Sequence, residues 1–215
     1  DAQKIRRLAA REGSLDGASR GRVAILGALS AILFMIEIPV VAFYKLDVST
    51  LPALLGAFSM GPMAGLAILL IKNVFGLFHS TSMYVGELAD FIMTCAMLIP
   101  AVLVYQRKKS RMGALISLAI GSVAMIIVAA MVNAFLLFPM LTKAMPSLEF
   151  ILTSTVPFNL LKAGLNSASI LLLYKPVVNG LRRAGLLPAA TAKGSAKIGV
   201  TAFAGLLLVT CILFV

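Results

Sequence analysis

The chain has 215 residues, of which 60% are hydrophobic and 13% charged, and its formal net charge is +11. Its mean hydropathy of +1.02 excludes an ordinary water-soluble domain, which would expose far too much apolar surface, so we expect an all-α, multi-pass membrane protein. Both cysteines, Cys95 and Cys211, lie inside apolar runs, which argues against a disulfide framework.

Apolar segments divide the chain into a basic tail (residues 1–21), a membrane domain (22–184), and a linker with one additional transmembrane helix (185–215). The membrane domain contains six predicted spans, at residues 22–43, 50–59, 62–79, 84–105, 112–138 and 157–178. The second span is short, and residues 139–156 are predicted to form a longer loop. The run 198–215 is long enough to cross once more, and because the sequence stops inside it, we expect the chain to continue.

Basic residues are concentrated on one side of this predicted topology. Six precede or begin the first span, four follow the fourth span in "QRKKSR", and five lie at the end of the sixth span or after it. The opposite loops carry only Lys45 and Lys143. Lysine and arginine accumulate in cytoplasmic loops, so the N-terminus is predicted to be cytoplasmic and the protein to lie in the cell membrane. Topology therefore accounts for the basic charge, and nucleic-acid binding is not expected.

Polar residues of several segments are predicted to meet in the outer half of the membrane. Asn159, Lys162 and Asn166 share one face of the sixth helix with Ser169. At the same depth lie the start of the fourth segment, the end of the fifth and the first loop, which contribute Tyr84, Glu87, Asp90, Asn133, Tyr44, Lys45 and Asp47. Asparagine amides offer donors and acceptors together, which suits a flat, polar, uncharged ligand better than a bare ion.

Lys72 and Asn73 lie near the middle of the third segment, "GPMAGLAILLIKNVFGLF". A lysine at this depth costs about 2.5–3.5 kcal/mol on insertion scales, so it is expected to face the protein interior. Two interpretations remain open for Lys72. It either pairs with Glu37, Glu87 or Asp90 as a structural ion pair, or it forms the floor of a solute cavity. The same ion-pair interpretation is open for Lys162, although the two asparagines and the serine on its face favour a solute site.

Small residues form a stripe on the first helix, made of Ala24, Gly27, Ala28 and Ala31. Such stripes let helices approach closely in membranes. The stripe predicts either ordinary internal packing or a docking surface for a partner's helices.

Motifs of several other functions do not occur in the sequence. It has no G-x-x-x-x-G-K-[ST] phosphate loop, so any ATP hydrolysis must come from another subunit. Its single histidine, His79, excludes a two-histidine metalloprotease motif. No catalytic residues or cofactor are predicted, and a small integral membrane enzyme remains a less favoured alternative.

Four stretches resemble the riboflavin-specific S component of energy-coupling-factor (ECF) vitamin transporters. They are "LDVSTLPALLGAFSMGPMAGLAILLIKN", "YVGELADFIM", an asparagine late in the fifth segment, and "PFNLLKAGLN". The resemblance covers about residues 20–184. It implies a six-helix bundle that captures riboflavin from outside and delivers it inward together with a T component and two ATP-binding cassette ATPase subunits.

The resemblance also implies roles for particular residues. The loop "YKLDVS" would act as a gate, and Ala24 and Ala28 would match an A-x-x-x-A docking surface for the partner subunits. Asn133, Asn159 and Lys162 would bind the flavin through hydrogen bonds, with Glu87 and Tyr84 nearby. Leu46 and Phe158 would cover its rings. The wider substrate-binding set comprises these residues together with Tyr44, Asp47, Lys72, Asn73 and Asn166.

Other S components share this fold and take other vitamins, among them pantothenate, folate and niacin, so these remain alternatives. The chain has no tryptophan. This counts against thiamine, because the resemblance implies an aromatic-rich binding pocket for the S components that carry thiamine. The neutral amides, in place of an arginine cluster, count against a strongly anionic ligand.

Overall fold

The computed structural model describes residues 17–41, 44–80 and 82–183, and nearly all of them are helical. The helices are α1 (Gly17–Met35), α2 (Thr50–Met60), α3 (Pro62–Gly76), α4 (Val85–Arg107), α5 (Arg111–Val132), α6 (Phe138–Thr142), α7 (Leu148–Phe150) and α8 (Val156–Arg183). The 3-10 turn Leu77–His79 extends α3, and the π-helical segments Asn133–Leu137 and Ile151–Thr155 join α5 to α6 and α7 to α8. The predicted tail and the additional C-terminal helix lie outside the described residues, apart from the first turn of α1.

Four continuous helical segments are long and apolar enough to cross a membrane. They are Pro62–His79, Val85–Arg107, Met112–Thr142 and Leu148–Leu173. Their outward faces carry large apolar side chains such as Leu70, Val123 and Ile127, each more than half exposed. Exposed apolar faces of this kind are stable in lipid and would be a liability in water.

The short helix α2 lies at the centre of the bundle. Every residue from Thr50 to Ala57 is buried, and the helix packs against α1, α3, α4 and α8. A helix that is apolar all round can be buried on every side without leaving polar groups unpaired, and in this protein the other helices surround it. Gly61 ends α2 with a φ of +103°, a conformation that only glycine adopts readily. Pro62 then begins α3, in the first turn, where backbone N–H groups have no partner within the helix and the missing N–H of proline is therefore not a loss.

The prediction of one continuous helical span at residues 22–43 is wrong after Met35. The structure ends α1 at Met35, and residues predicted to be helical form strand β1 (Ile38–Val41), which pairs antiparallel with β2 (Tyr44–Leu46). Ile38 lies opposite Leu46, and Pro39 lies opposite Lys45. Proline disfavours helical geometry in the residue before it and removes a helical donor, so Pro39 ends the possibility of a continuous helix.

The predicted loop at residues 139–156 is largely helical. Helix α6 continues the fifth segment to Thr142, and the chain becomes helical again at Leu148. The Ser147 side chain accepts a hydrogen bond from the backbone N–H of Phe150, which caps this new helix start. The true connection is therefore only five residues long.

Candidate functional site

A cavity of ≈ 430 Å³ opens at one end of the bundle. Its walls come from the end of α1, the β1–β2 hairpin, the start of α4, the segment after α5 and the start of α8. Small-molecule sites typically measure about 300–1,000 Å³, so this cavity is large enough for one vitamin-sized ligand.

The structure brings seven of the twelve predicted substrate-binding residues to this cavity. They are Tyr44, Asp47, Glu87, Asn133, Phe158, Asn159 and Lys162. They come from four separate parts of the chain, and their convergence is the feature that makes the cavity a candidate site.

The other five predicted residues do not line the cavity. Leu46 and Asn166 are buried elsewhere in the fold, Asn73 donates its side-chain N–H to the Leu69 carbonyl at 2.9 Å, and Tyr84 is 63% exposed. Lys72 is fully buried, as predicted, and it contacts two lining residues, the carboxylate of Asp90 and the ring of Phe34.

A network of four buried charges lies at the base of the cavity. Lys162 Nζ lies 2.8 Å from Asp90 Oδ1 and 3.1 Å from Asp47 Oδ2. Lys72 Nζ lies 2.7 Å from Asp90 Oδ2 as an ion pair without an aligned hydrogen bond, and 4.7 Å from the centre of the Phe34 ring. The positive charges of the two lysines cancel the negative charges of the two aspartates, so the network has no net charge that would attract a charged ligand.

Asp47 ties the segment after β2 to the bundle. Its Oδ1 accepts hydrogen bonds from the Ser49 N–H at 2.9 Å and from the Ser49 hydroxyl, and the Ser30 hydroxyl of α1 donates to the Ser49 carbonyl. Burial alone would raise the pKa of Asp47, but the ammonium groups of Lys162 and Lys72 and the Ser49 hydrogen bond hold it below its ordinary value of 3.8. Asp47 therefore stays ionised at neutral pH.

Asn133 and Asn159 present similar amide groups to the cavity. Each donates its side-chain N–H to the backbone carbonyl one turn earlier, Ala129 for Asn133 at 2.7 Å and Thr155 for Asn159 at 2.8 Å. Each Oδ1 is buried and has no hydrogen-bond partner among the described residues. An unsatisfied buried acceptor is costly, so both oxygens are suited to accept N–H or O–H donors from a ligand.

An aromatic pair covers one wall. The rings of Tyr44 and Phe158 are stacked, with centroids 4.6 Å apart and an interplanar angle of 19°. A wall of this kind suits a flat, conjugated ligand, because aromatic faces stack on one another.

Several lining residues were not in the predicted substrate-binding set. The sequence placed Asp90 and Lys45 in the polar cluster of the outer half, and Asp90 also as a candidate ion-pair partner, but it assigned neither to ligand binding. Glu37 and Lys45 pair with each other at 2.6 Å across the hairpin mouth. The remaining lining residues are apolar or small and carry no signal in the sequence: Phe34, Ser82, Gly86, Ala89, Met93, Leu137, Leu141 and Thr142.

The small-residue stripe on α1 divides into two faces. Gly27 is buried, and a Cβ on it would lie 2.8 Å from the Ile71 side chain of α3, so glycine is needed for this close approach. Ala31 is also buried, whereas Ala24 and Ala28 are exposed. Internal packing therefore accounts for Gly27 and Ala31, and the exposed pair is left for other contacts.

Residues 22–174 match the family model described as "ECF transporter, substrate-specific component". The chain belongs to this family. The matched region contains every residue that lines the cavity. Its several apolar helices make this S component a multi-pass membrane protein.

Two curated relatives are named as riboflavin transporters. The riboflavin transporter RibU of Staphylococcus aureus (strain TCH60) is 31% identical over 171 residues, which cover 75% of this chain and 90% of the relative. The riboflavin transporter FmnP of Bacillus subtilis (strain 168) is 29% identical over 154 residues, which cover 65% and 81% respectively.

A solved structure, reported as that of the S component of a bacterial ECF transporter, has the same fold. It superposes with a TM-score of 0.69 at 30% sequence identity and covers 77% of this chain and 98% of its own. The S-component fold expected from the sequence resemblance is confirmed.

Proposed function

We propose that the protein is the riboflavin-binding S component of an ECF importer. The two unpartnered amide oxygens of Asn133 and Asn159, beside the stacked rings of Tyr44 and Phe158, are the observation that supports this most directly. Riboflavin combines a flat tricyclic ring that carries an N–H group with a chain of hydroxyls. The names of the two relatives support the same ligand.

Lys162 supplies the matching donor for a ring carbonyl. Its ammonium group has three N–H donors, and its contacts with Asp47 and Asp90 occupy two of them. The third can point to the ligand while both ion pairs remain. Glu87, whose Oε2 accepts from Ser80 at 2.8 Å, supplies an acceptor for hydroxyls of the sugar-like chain.

The balanced charges favour a neutral ligand. The lysines nearest the cavity are all paired with carboxylates: Lys45 with Glu37, and Lys162 with Asp47 and Asp90. An anionic ligand, with one carboxylate or two, would face these carboxylates with little positive charge to offset them. We therefore favour riboflavin over anionic vitamins such as pantothenate and folate.

The protein is proposed to work with a membrane T component and two ATP-binding cassette ATPases, and not as an enzyme itself. Family membership and the absence of a phosphate-loop motif in the sequence support this division of labour. We propose that Ala24 and Ala28 form part of the docking surface, because they are small and exposed. The distribution of basic residues supports a cytoplasmic N-terminus, with the cavity opening outward.

A fluorescence titration tests the ligand. The purified protein in detergent should quench riboflavin fluorescence to saturation at a one-to-one ratio, and pantothenate or niacin should not displace the flavin. Asn159→Leu should weaken binding by about 1–3 kcal/mol, since a ligand donor would lose its acceptor. Asn179→Leu, at an exposed position near the other end of α8, is the matched control and should bind normally. Displacement of riboflavin by another vitamin would overturn the assignment.

A further inference from the structure

Tyr44 is held at both ends of its side chain. It lies on β2, lines the cavity and is only 5% exposed. Its ring stacks on Phe158, and its hydroxyl oxygen lies 2.7 Å from the Thr155 Oγ1. Burial raises the pKa of the Tyr44 hydroxyl, against the lowering effect of the Thr155 hydrogen bond, so the group stays protonated and can keep this bond at neutral pH.

Thr155 does not line the cavity, yet it contacts two residues that do. It is fully buried at the last position of the π-helical segment Ile151–Thr155. Its hydroxyl bonds to Tyr44, and its backbone carbonyl accepts the side-chain N–H of Asn159 at 2.8 Å. Short π-helical segments occur often at functional sites, where they redirect side chains.

The hairpin depends on such side-chain contacts for its position. In the described part of the chain its two strands pair only with each other. Asp47, just after β2, reaches α8 through Lys162, but that lysine also serves the charged network and the proposed ligand contact. The Tyr44–Thr155 bond is a neutral contact between the hairpin and the segment before α8, independent of the buried charges.

We propose that Thr155 is a positioning residue for ligand retention: its hydroxyl holds the Tyr44 ring against Phe158 and thereby keeps the hairpin wall of the cavity closed. The proposal rests on the proposed function as a riboflavin-binding protein. Closing contacts that a bound ligand does not share act mainly on dissociation, so losing this one should shorten the residence time of the ligand.

Stopped-flow measurement of riboflavin binding and release tests the role. Thr155→Val keeps the side-chain shape but removes the hydroxyl, and it should speed dissociation roughly threefold to tenfold with little change in the association rate. Thr155→Ser should restore slow release. Thr153→Val is the matched control, because Thr153 lies in the same π-helical segment, is exposed, and donates only to the Glu149 carbonyl at 2.8 Å.

A double-mutant cycle separates positioning from general destabilisation. Tyr44→Phe retains the stacked ring and should speed release as much as Thr155→Val does. The double variant should release riboflavin no faster than either single variant, because both remove the same bond. Additive effects, or wild-type release from Thr155→Val, would overturn the proposal.

Hydrogen–deuterium exchange of the ligand-free protein gives a readout that does not need riboflavin. Thr155→Val should increase amide exchange in residues 44–49 relative to wild type, and Thr153→Val should not. If the wild type binds no riboflavin, the proposed function fails, and exchange alone decides the positioning role. Unchanged exchange in Thr155→Val would then refute it, and faster exchange would support it.

Discussion

Asp90 is the carboxylate that both buried lysines share, and its replacement tests the charged network most sharply. Asp90→Asn keeps the side-chain size but removes the negative charge that lies 2.7 Å from Lys72 and 2.8 Å from Lys162. Lys162 retains Asp47, whereas Lys72 has no other carboxylate within 4.0 Å in the described part of the structure. Removing one partner of a buried ion pair costs about 3–5 kcal/mol, so we expect a loss of stability of this size.

The matched variant Lys72→Met removes the opposite charge. Asp90 would then keep Lys162 as its partner, so this change should cost less than Asp90→Asn. The double variant Asp90→Asn/Lys72→Met should recover most of the lost stability, because it leaves no unpaired charge at this position. Thermal unfolding of all four proteins in the same detergent measures the series. A wild-type unfolding temperature for Asp90→Asn, or a double variant less stable than Asp90→Asn, would refute the reasoning.

Three further predictions address other parts of the fold. Asn166 is fully buried, and neither its Nδ2 nor its Oδ1 has a hydrogen-bond partner among the described residues. Asn166→Leu should therefore raise the unfolding temperature and leave riboflavin binding unchanged, and a lower unfolding temperature would contradict this. Ala28→Trp should leave riboflavin binding intact but prevent assembly with the T component, whereas the control Ile127→Trp, on an exposed face of α5, should permit assembly. Normal riboflavin uptake by Ala28→Trp would show that the exposed face of α1 is not a docking surface. Because the pKa of Asp47 is held below its ordinary value, its contribution to stability is present above about pH 4 and lost as the pH falls further, so stability and binding should stay constant between about pH 5 and pH 8. A decline beginning near pH 6 would count against this assignment.

The helical framework could be predicted from the sequence because proline, glycine and the limits of the apolar runs mark where its helices begin and end. Pro62 begins α3 where the sequence places a proline after a glycine, and the apolar runs give the extents of α3 and α4 to within about three residues. The β1–β2 hairpin could not be predicted in the same way. A short apolar run such as "IEIPVV" is compatible with a helix or a strand, and only the effect of Pro39 distinguishes the two.

The polar residues of the cavity could be predicted from the sequence, but the side-chain pairings between them could not. The spacing of Asn159 and Lys162 on one helical face indicated that they share a site, and both line the cavity. By contrast, Asp90 and Lys162 are 72 positions apart, and Tyr44 and Thr155 are 111 apart. Such pairings depend on how helices pack, which no local pattern in the sequence records.

The small-residue stripe on α1 is a further feature that the sequence could predict only in part. Helical spacing places Ala24, Gly27, Ala28 and Ala31 near one another, but it cannot tell which of them faces the bundle. The contact between Gly27 and Ile71 decides this for one half of the stripe, because a side chain at position 27 would displace the side chain of Ile71.

The most direct test of the central claim is the visible absorption spectrum of the detergent-purified protein, with mass analysis of any molecule released on denaturation. We predict a flavin spectrum and a released mass equal to that of riboflavin, or, after exhaustive removal of bound ligand, saturable quenching of added riboflavin at a one-to-one ratio. A colourless protein that leaves the fluorescence of added riboflavin unchanged would contradict the account and assign this cavity to a different vitamin.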